Sequence, residues 1–186
     1  MNDSDIKRVL ETMSLGAHVK VYVYNDVDSL PKQKISNAPF ECYIFNFHDN
    51  GDMGHWLCLA RNNNEMWFFD SMGFSPHFYS IKIYDTMKRH NILKRYRNKT
   101  QYQNISSIVC GGYQLCYVYL LNKTRDFKKC IFRLHKLFPH RRNRQLNDKL
   151  LINFMYRTFG GLDSCKTLFC NYYTITKKDC DDLCDE

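Results

Sequence analysis

The fold class this sequence predicts is α+β, and three observations predict it. Short alternating or apolar runs, the mark of strands, crowd the chain before Asp70. Longer segments with an apolar face, the mark of helices, fill most of the chain after Cys110. Tight polar turns such as Asn62-Asn63-Asn64 separate neighbouring strands closely enough for antiparallel pairing. The expected architecture is a central sheet flanked by helices.

The elements follow in order. Asp3 to Met13 carries Ile6, Val9, Leu10 and Met13 on one helical face, with Asn2 to Ser4 offering N-caps. Val19 to Tyr24 alternates as a short strand. Leu30 to Pro39 holds two prolines and reads as loop. Cys42 to Phe47 is a strand, and Asp49-Asn50-Gly51-Asp52 is a turn. His55 to Arg61 is the next strand, and Glu65 to Asp70 returns beside it as a hairpin. His55 opens one strand and Asp70 closes its neighbour, so antiparallel pairing puts both at one edge of the sheet. Ser80 to Arg97 is predicted helical, and Lys99 to Val109 irregular. Cys110 to Asn122 is a mostly apolar, buried helix. Asp126 to Leu137 is amphipathic, and Pro139 ends it. Asn147-Asp148 caps a last helix through Thr158, which Gly160-Gly161 stops. Residues 1–161 are expected to form one domain, and 162–186 a Cys-rich, acidic extension.

Composition narrows the classes. With 186 residues, 13 Tyr and 13 Phe, the chain has the size and the aromatic load for a folded core. No apolar run approaches the ~20 residues of a membrane span, and the acidic start Met1-Asn2-Asp3-Ser4-Asp5 has no secretory apolar stretch. An intracellular protein is expected. The nine cysteines are then reduced thiols, most of them small buried apolar residues. The net charge of +8 is uneven: Lys88 to Lys99 is basic without an acid, Lys123 to Arg144 is basic but for Asp126, and Asp179 to Glu186 is acidic. A polyanionic partner fits such runs, as does a plain solvated basic face.

Four residue types point to thiol chemistry. Cys110 stands where a polar loop meets a buried helix, and the positive end of a helix lowers a thiol pKa. Gly111 and Gly112 bare the N–H groups of that first turn, which an oxyanion needs. An inert core cysteine is the plainer alternative. His55 is the candidate base, or a strand-edge histidine bound to backbone. Asp70 is the candidate orienting acid, or a turn former. Gln103 is the candidate amide donor to the oxyanion, in competition with Gln101 and Gln114. Trp56 and Gly111 are candidates for the wall of a substrate channel. The four cysteines Cys165, Cys170, Cys180 and Cys184 miss the paired spacing of zinc knuckles, so no metal site is expected.

Taken together, Gly54-His55-Trp56, Phe69-Asp70-Ser71-Met72-Gly73-Phe74-Ser75 and Gln103-x6-Cys110-Gly111 resemble the adenovirus protease (adenain) family, in the clan of ubiquitin-like-protein proteases. The resemblance runs from the N-terminal helix to about Phe159. It implies an α+β cysteine-protease fold with a central mixed sheet and the nucleophile at the start of a buried helix. It implies Cys110 as nucleophile, His55 as base, Asp70 as its orienter and Gln103 as oxyanion donor. It implies a viral endopeptidase that cleaves precursor proteins at small, Gly-containing sites during virion maturation, in the virion and in the host nucleus or cytoplasm. No small-molecule cofactor is implied. DNA is implied as an activator; the basic runs are compatible with that, and Lys94, Arg95, Arg97, Arg141, Arg142 and Arg144 are expected to bind its phosphates. Two departures stand out. Asp70 occupies a position that is more often Glu in the adenoviral enzymes. No cysteine lies between Cys58 and Cys110, where those enzymes link a peptide activator, so a covalent activator at that site is not expected, and a noncovalent one stays open. The expected state is a monomer. The alternatives are a protease for ubiquitin or a ubiquitin-like modifier, and a nucleic-acid-binding protein that has lost catalysis.

Overall fold

The structure, a computed structural model of the chain, describes residues 1–48, 54–90, 92 and 94–159. Among these the chain forms helix α1 (Asp3–Thr12), strands β1 (Val19–Tyr24), β2 (Phe40–Phe47), β3 (His55–Arg61) and β4 (Glu65–Phe69), and helices α2 (Pro76–Tyr79) and α3 (Ile81–Arg89). Strand β5 (Lys94–Arg97) and helices α4 (Cys110–Thr124), α5 (Phe127–Leu137) and α6 (Arg144–Phe159) follow. The strands make one mixed sheet in the order β1-β2-β3-β4-β5. The outer pairs β1–β2 and β4–β5 are parallel, and the central pairs are antiparallel. The fold class is α+β.

Side chains alternate across a strand, so each central strand feeds two cores. Cys42 and Ile44 of β2, Trp56, Cys58 and Ala60 of β3, and Trp67 and Phe69 of β4 pack toward α1, α4, α5 and α6. Tyr43 and Phe45, Leu57 and Leu59, and Met66 and Phe68 face the other way, against Ile83 and Met87 of α3. With both faces covered, β2 and β3 are buried along nearly their whole length. Helix α4 is the central helix. Its residues from Cys110 through Val118 are all buried, which explains an apolar sequence without a polar face.

Two predicted elements differ. The helix predicted over Ser80 to Arg97 stops at Arg89, where His90 takes an extended backbone (φ −66°, ψ 118°). The Arg95 guanidinium then donates to the carbonyls of Met87 and Lys88 at the end of α3 (2.8 and 3.3 Å), and Lys94 to Arg97 run as the edge strand β5. The last helix starts at Arg144, ahead of the predicted caps. Asn147 and Asp148 are buried inside it, and the Asn147 side chain bonds the Tyr102 and His140 carbonyls, 3.0 Å each. The predicted turn at Asp49 to Asp52, the stop at Gly160-Gly161 and the extension 162–186 with its four cysteines lie outside the described residues.

Candidate active site

The β2–β3 register sets Phe47 opposite His55, and the β3–β4 register sets Cys58 opposite Phe69. One residue beyond that last pair, Asp70 emerges beside the start of β3. His55 Nε2 lies 2.8 Å from Asp70 Oδ1. The hairpin expectation and the geometry agree.

Asp70 is fully buried and strongly held. Oδ1 also accepts from the Met72 N–H (2.9 Å), and Oδ2 accepts from the Phe74 N–H (2.7 Å) and the Tyr79 hydroxyl (3.1 Å). Its backbone is clamped by Asn98, whose Oδ1 accepts from Asp70 N and whose Nδ2 donates to Asp70 O. The turn that aims these N–H groups needs a glycine. Gly73 has φ +74°, and a Cβ there would meet the Thr100 carbonyl at 2.9 Å.

Cys110 is the first residue of α4. It lines one cleft with His55, and the Trp56 N–H donates to its Sγ at 3.5 Å. Burial is the largest influence on the thiol and works upward. The hydrogen bond and charge of His55, with the N–H groups of Trp56 and Gly111, outweigh burial and hold the pKa below the ordinary thiol value. For His55 burial is again the largest influence, here downward. The hydrogen bonds to Asp70 and Cys110 and their charges overcome it and raise the pKa to about 9. The two shifts agree with each other. Each group favours the charged form of the other, which is the direction a thiolate nucleophile needs.

The other predicted residues divide. Trp56 walls the cleft and donates from Nε1 to the Met1 carbonyl at 2.9 Å. Gly111 sits beneath Met1 and Trp56, where a Cβ would lie 3.2 Å from the Met1 sulfur. Gln103 is fully buried below the loop at Asn104 to Val109. Its Nε2 donates to the Ser107 carbonyl (2.7 Å), and its Oε1 accepts from the Ser71 hydroxyl (2.6 Å). Gln114 donates to the Trp56 carbonyl (2.8 Å), and Gln101 to the Gln103 carbonyl (3.0 Å). Of the predicted DNA-binding residues, Lys94, Arg95, Arg141 and Arg142 are exposed. Arg95 and Arg97 are engaged within the chain, Arg97 with the carbonyls of Gly73 and Asn98, and the Arg144 Nε is buried.

Two partners of the pair were not foreseen. Tyr79 stacks on the His55 ring (centroids 5.5 Å apart, planes at 15°) while its hydroxyl serves Asp70. Pro76 marks the start of that short helix in the sequence, but nothing local marks where Tyr79 points. Asn98 clamps Asp70 from 28 residues away, and no pattern in the sequence joins the two. The cleft over Cys110 has a volume of about 630 Å³, with Phe74, Phe78, Ile105 and Ile108 on its apolar side. A second concavity of about 540 Å³, beside Asn62 to Glu65 and Arg125 to Lys128, holds none of the predicted catalytic residues.

No known protein family and no curated protein matches the chain. Among solved structures it is similar to the ASFV pS273R protease. One crystal structure of that protease superposes on 85% of this chain with a TM-score of 0.52 at 14% sequence identity. The chain spans 66% of the length of that structure. A selenomethionine crystal structure of the same protease matches over 50% of this chain and 38% of its own, at 20% identity and a TM-score of 0.36. The 0.52 superposition shows a shared fold. The mixed sheet and its flanking helices are the architecture of that protease.

Proposed function

We propose that this chain is a viral cysteine endopeptidase, cleaving capsid or core precursor proteins at Gly-containing sites during virion maturation. The observation that carries this reading is His55 bonded to Asp70 at 2.8 Å while it shares the cleft with the Cys110 thiol. The shared fold with a viral protease supports it, and so does the adenain-like pattern of motifs.

The Cys110 thiolate forms a bond to the peptide carbonyl carbon, and the C=O pair moves onto oxygen. As the C–N bond breaks, the His55 imidazolium passes its proton to the departing amine and leaves a thioester. Neutral His55 then takes a proton from water as its oxygen attacks the thioester. The C–S bond breaks, releasing a carboxylic acid and restoring the ion pair. Asp70 holds the ring through Nε2, so Nδ1 is the nitrogen left for the thiol and for proton transfer. DNA is proposed as a stimulating partner bound through phosphates, with exposed Lys94, Arg141 and Arg142 as the contacts.

The test is incubation with precursor proteins from the same genome, with and without duplex DNA. Wild-type protein is expected to cleave them, and Cys110→Ala to cleave none while keeping its circular dichroism. DNA is expected to raise the rate at 50 mM salt and lose most of that effect by about 200 mM. Cleavage by Cys110→Ala would remove the sulfur from the mechanism. A rate indifferent to DNA would remove the nucleic acid.

A further inference from the structure

We propose that the side-chain amide of Asn46 is a catalytic hydrogen-bond donor: unpartnered in the cleft beside Cys110, it binds the carbonyl oxygen that becomes an oxyanion when the sulfur attacks. The inference deepens the hydrolase reading above and rests on it.

The strand geometry puts Asn46 in place. It is the next-to-last residue of β2, opposite Trp56 of β3, and Trp56 is the residue whose N–H touches the Cys110 sulfur. Directly opposed residues on antiparallel strands hold their Cβ atoms about 5 Å apart. Cys42 and Ile44 of β2 point toward α4, so Asn46, two residues on, points toward the same face. It lines the cleft together with His55 and Cys110.

The amide is free. Its Oδ1 is buried and accepts no hydrogen bond, and its Nδ2 donates to no described residue. The oxygen rests against Gly54, where a Cβ would come within 2.2 Å of it, so the NH2 group is the end left for the cleft. That contact gives the glycine before His55 a physical reason: any side chain at position 54 would displace the amide. The fold gains nothing evident from an unpaired polar group where a β-branched residue would suit a strand. The neighbouring amides are committed, Gln103 to the Ser107 carbonyl and Gln114 to the Trp56 carbonyl. Among the described residues beside Cys110, Asn46 is an amide without an acceptor.

Two probes of Cys110 separate this role from others. Iodoacetamide needs only the thiolate. A short peptide aldehyde ending in Gly-Gly adds the thiol across its C=O bond, and the resulting hemithioacetal oxygen sits where the oxyanion would. Protection of Cys110 from iodoacetamide measures how tightly the aldehyde binds. Asn46→Ala and Asn46→Leu are expected to alkylate with the wild-type rate and pH dependence, but to need roughly 100-fold more aldehyde for the same protection. Gly54→Ala, which crowds the amide with one methyl group, is expected to behave the same way. Wild-type protection in a folded Asn46→Ala or Asn46→Leu variant would overturn the role of Asn46. If the wild type is alkylated at Cys110 but no aldehyde protects it, the hydrolase reading falls, and this inference with it.

Discussion

At Asp70 four donors converge on two carboxylate oxygens, and one of them is the imidazole. The Met72 and Phe74 N–H groups and the Tyr79 hydroxyl leave the acid a single orientation, so the ring it holds has a single orientation too. His55 and Asp70 were legible because the hairpin between them is short and its turn is plain in the sequence. Cys110 was legible because glycines follow it at a polar-to-apolar boundary. Tyr79, Asn98 and Asn46 were not, because each acts through a contact that only the folded sheet creates. Asp70→Asn keeps the shape but removes the charge that stabilises imidazolium, so the His55 pKa should fall from about 9 toward its ordinary value. The expected result is a loss of kcat of up to roughly 10,000-fold in a folded variant, with a lower melting temperature because an amide NH2 cannot accept from the N–H groups that meet this buried acid. Activity within tenfold of wild type would make Asp70 a turn former and no more.

At the scale of elements, the sequence read well where periodicity and punctuation agreed. The edges of β1, β3, β4 and α5 fall within a residue of expectation. The failure at Ser80 to Arg97 has a physical cause. Lys94-Arg95-Tyr96-Arg97 is a charged edge strand that pairs on one side alone, and such strands carry bases that resemble the polar face of a helix. The break at His90 is invisible locally, because its reason is tertiary. His90 is buried, its ring meets the Arg61 guanidinium and the Pro31 carbonyl, and extended backbone is needed to reach them. Asn147 and Asp148 misled in the opposite sense. Their cap-forming side chains are used sideways, Asp148 accepting from the Tyr113 hydroxyl (3.0 Å) and the Asn104 N–H (3.2 Å). That contact ties α6 to the loop over the cleft.

For the whole molecule, charge is arranged by depth. Glu41, Arg61 and His90 are buried at the end of the sheet away from the cleft, while most of the excess base is at the surface. Burial, and next the Arg61 charge, depress the His90 pKa to about 4, so the folded protein keeps this ring neutral. The sign follows from linkage. The unfolded chain takes up this proton below about pH 6.5 and the folded one resists until about 4, so the stability is complete above 6.5 and lost as pH falls toward 4. The expected loss from this site is on the order of 1 kcal/mol for each pH unit crossed. Urea titrations should therefore show a shallower pH dependence for His90→Asn than for wild type in that window. Identical slopes would assign acid sensitivity to other groups. The basic surface was legible as composition, but its partition was not. Chain fold alone decides that Arg95 and Arg97 bind carbonyls while the side chains of Lys94, Arg141 and Arg142 are exposed.

The most direct measurement is the rate of iodoacetamide labelling at each cysteine against pH, read by mass spectrometry of the native protein. Cys110 is expected to label at lower pH than an ordinary thiol, while Cys42, Cys58, Cys116 and Cys130 stay protected by burial. A Cys110 that labels only above pH 8.5, or no faster than those four, would show that no imidazolium stands beside a thiolate in this cleft.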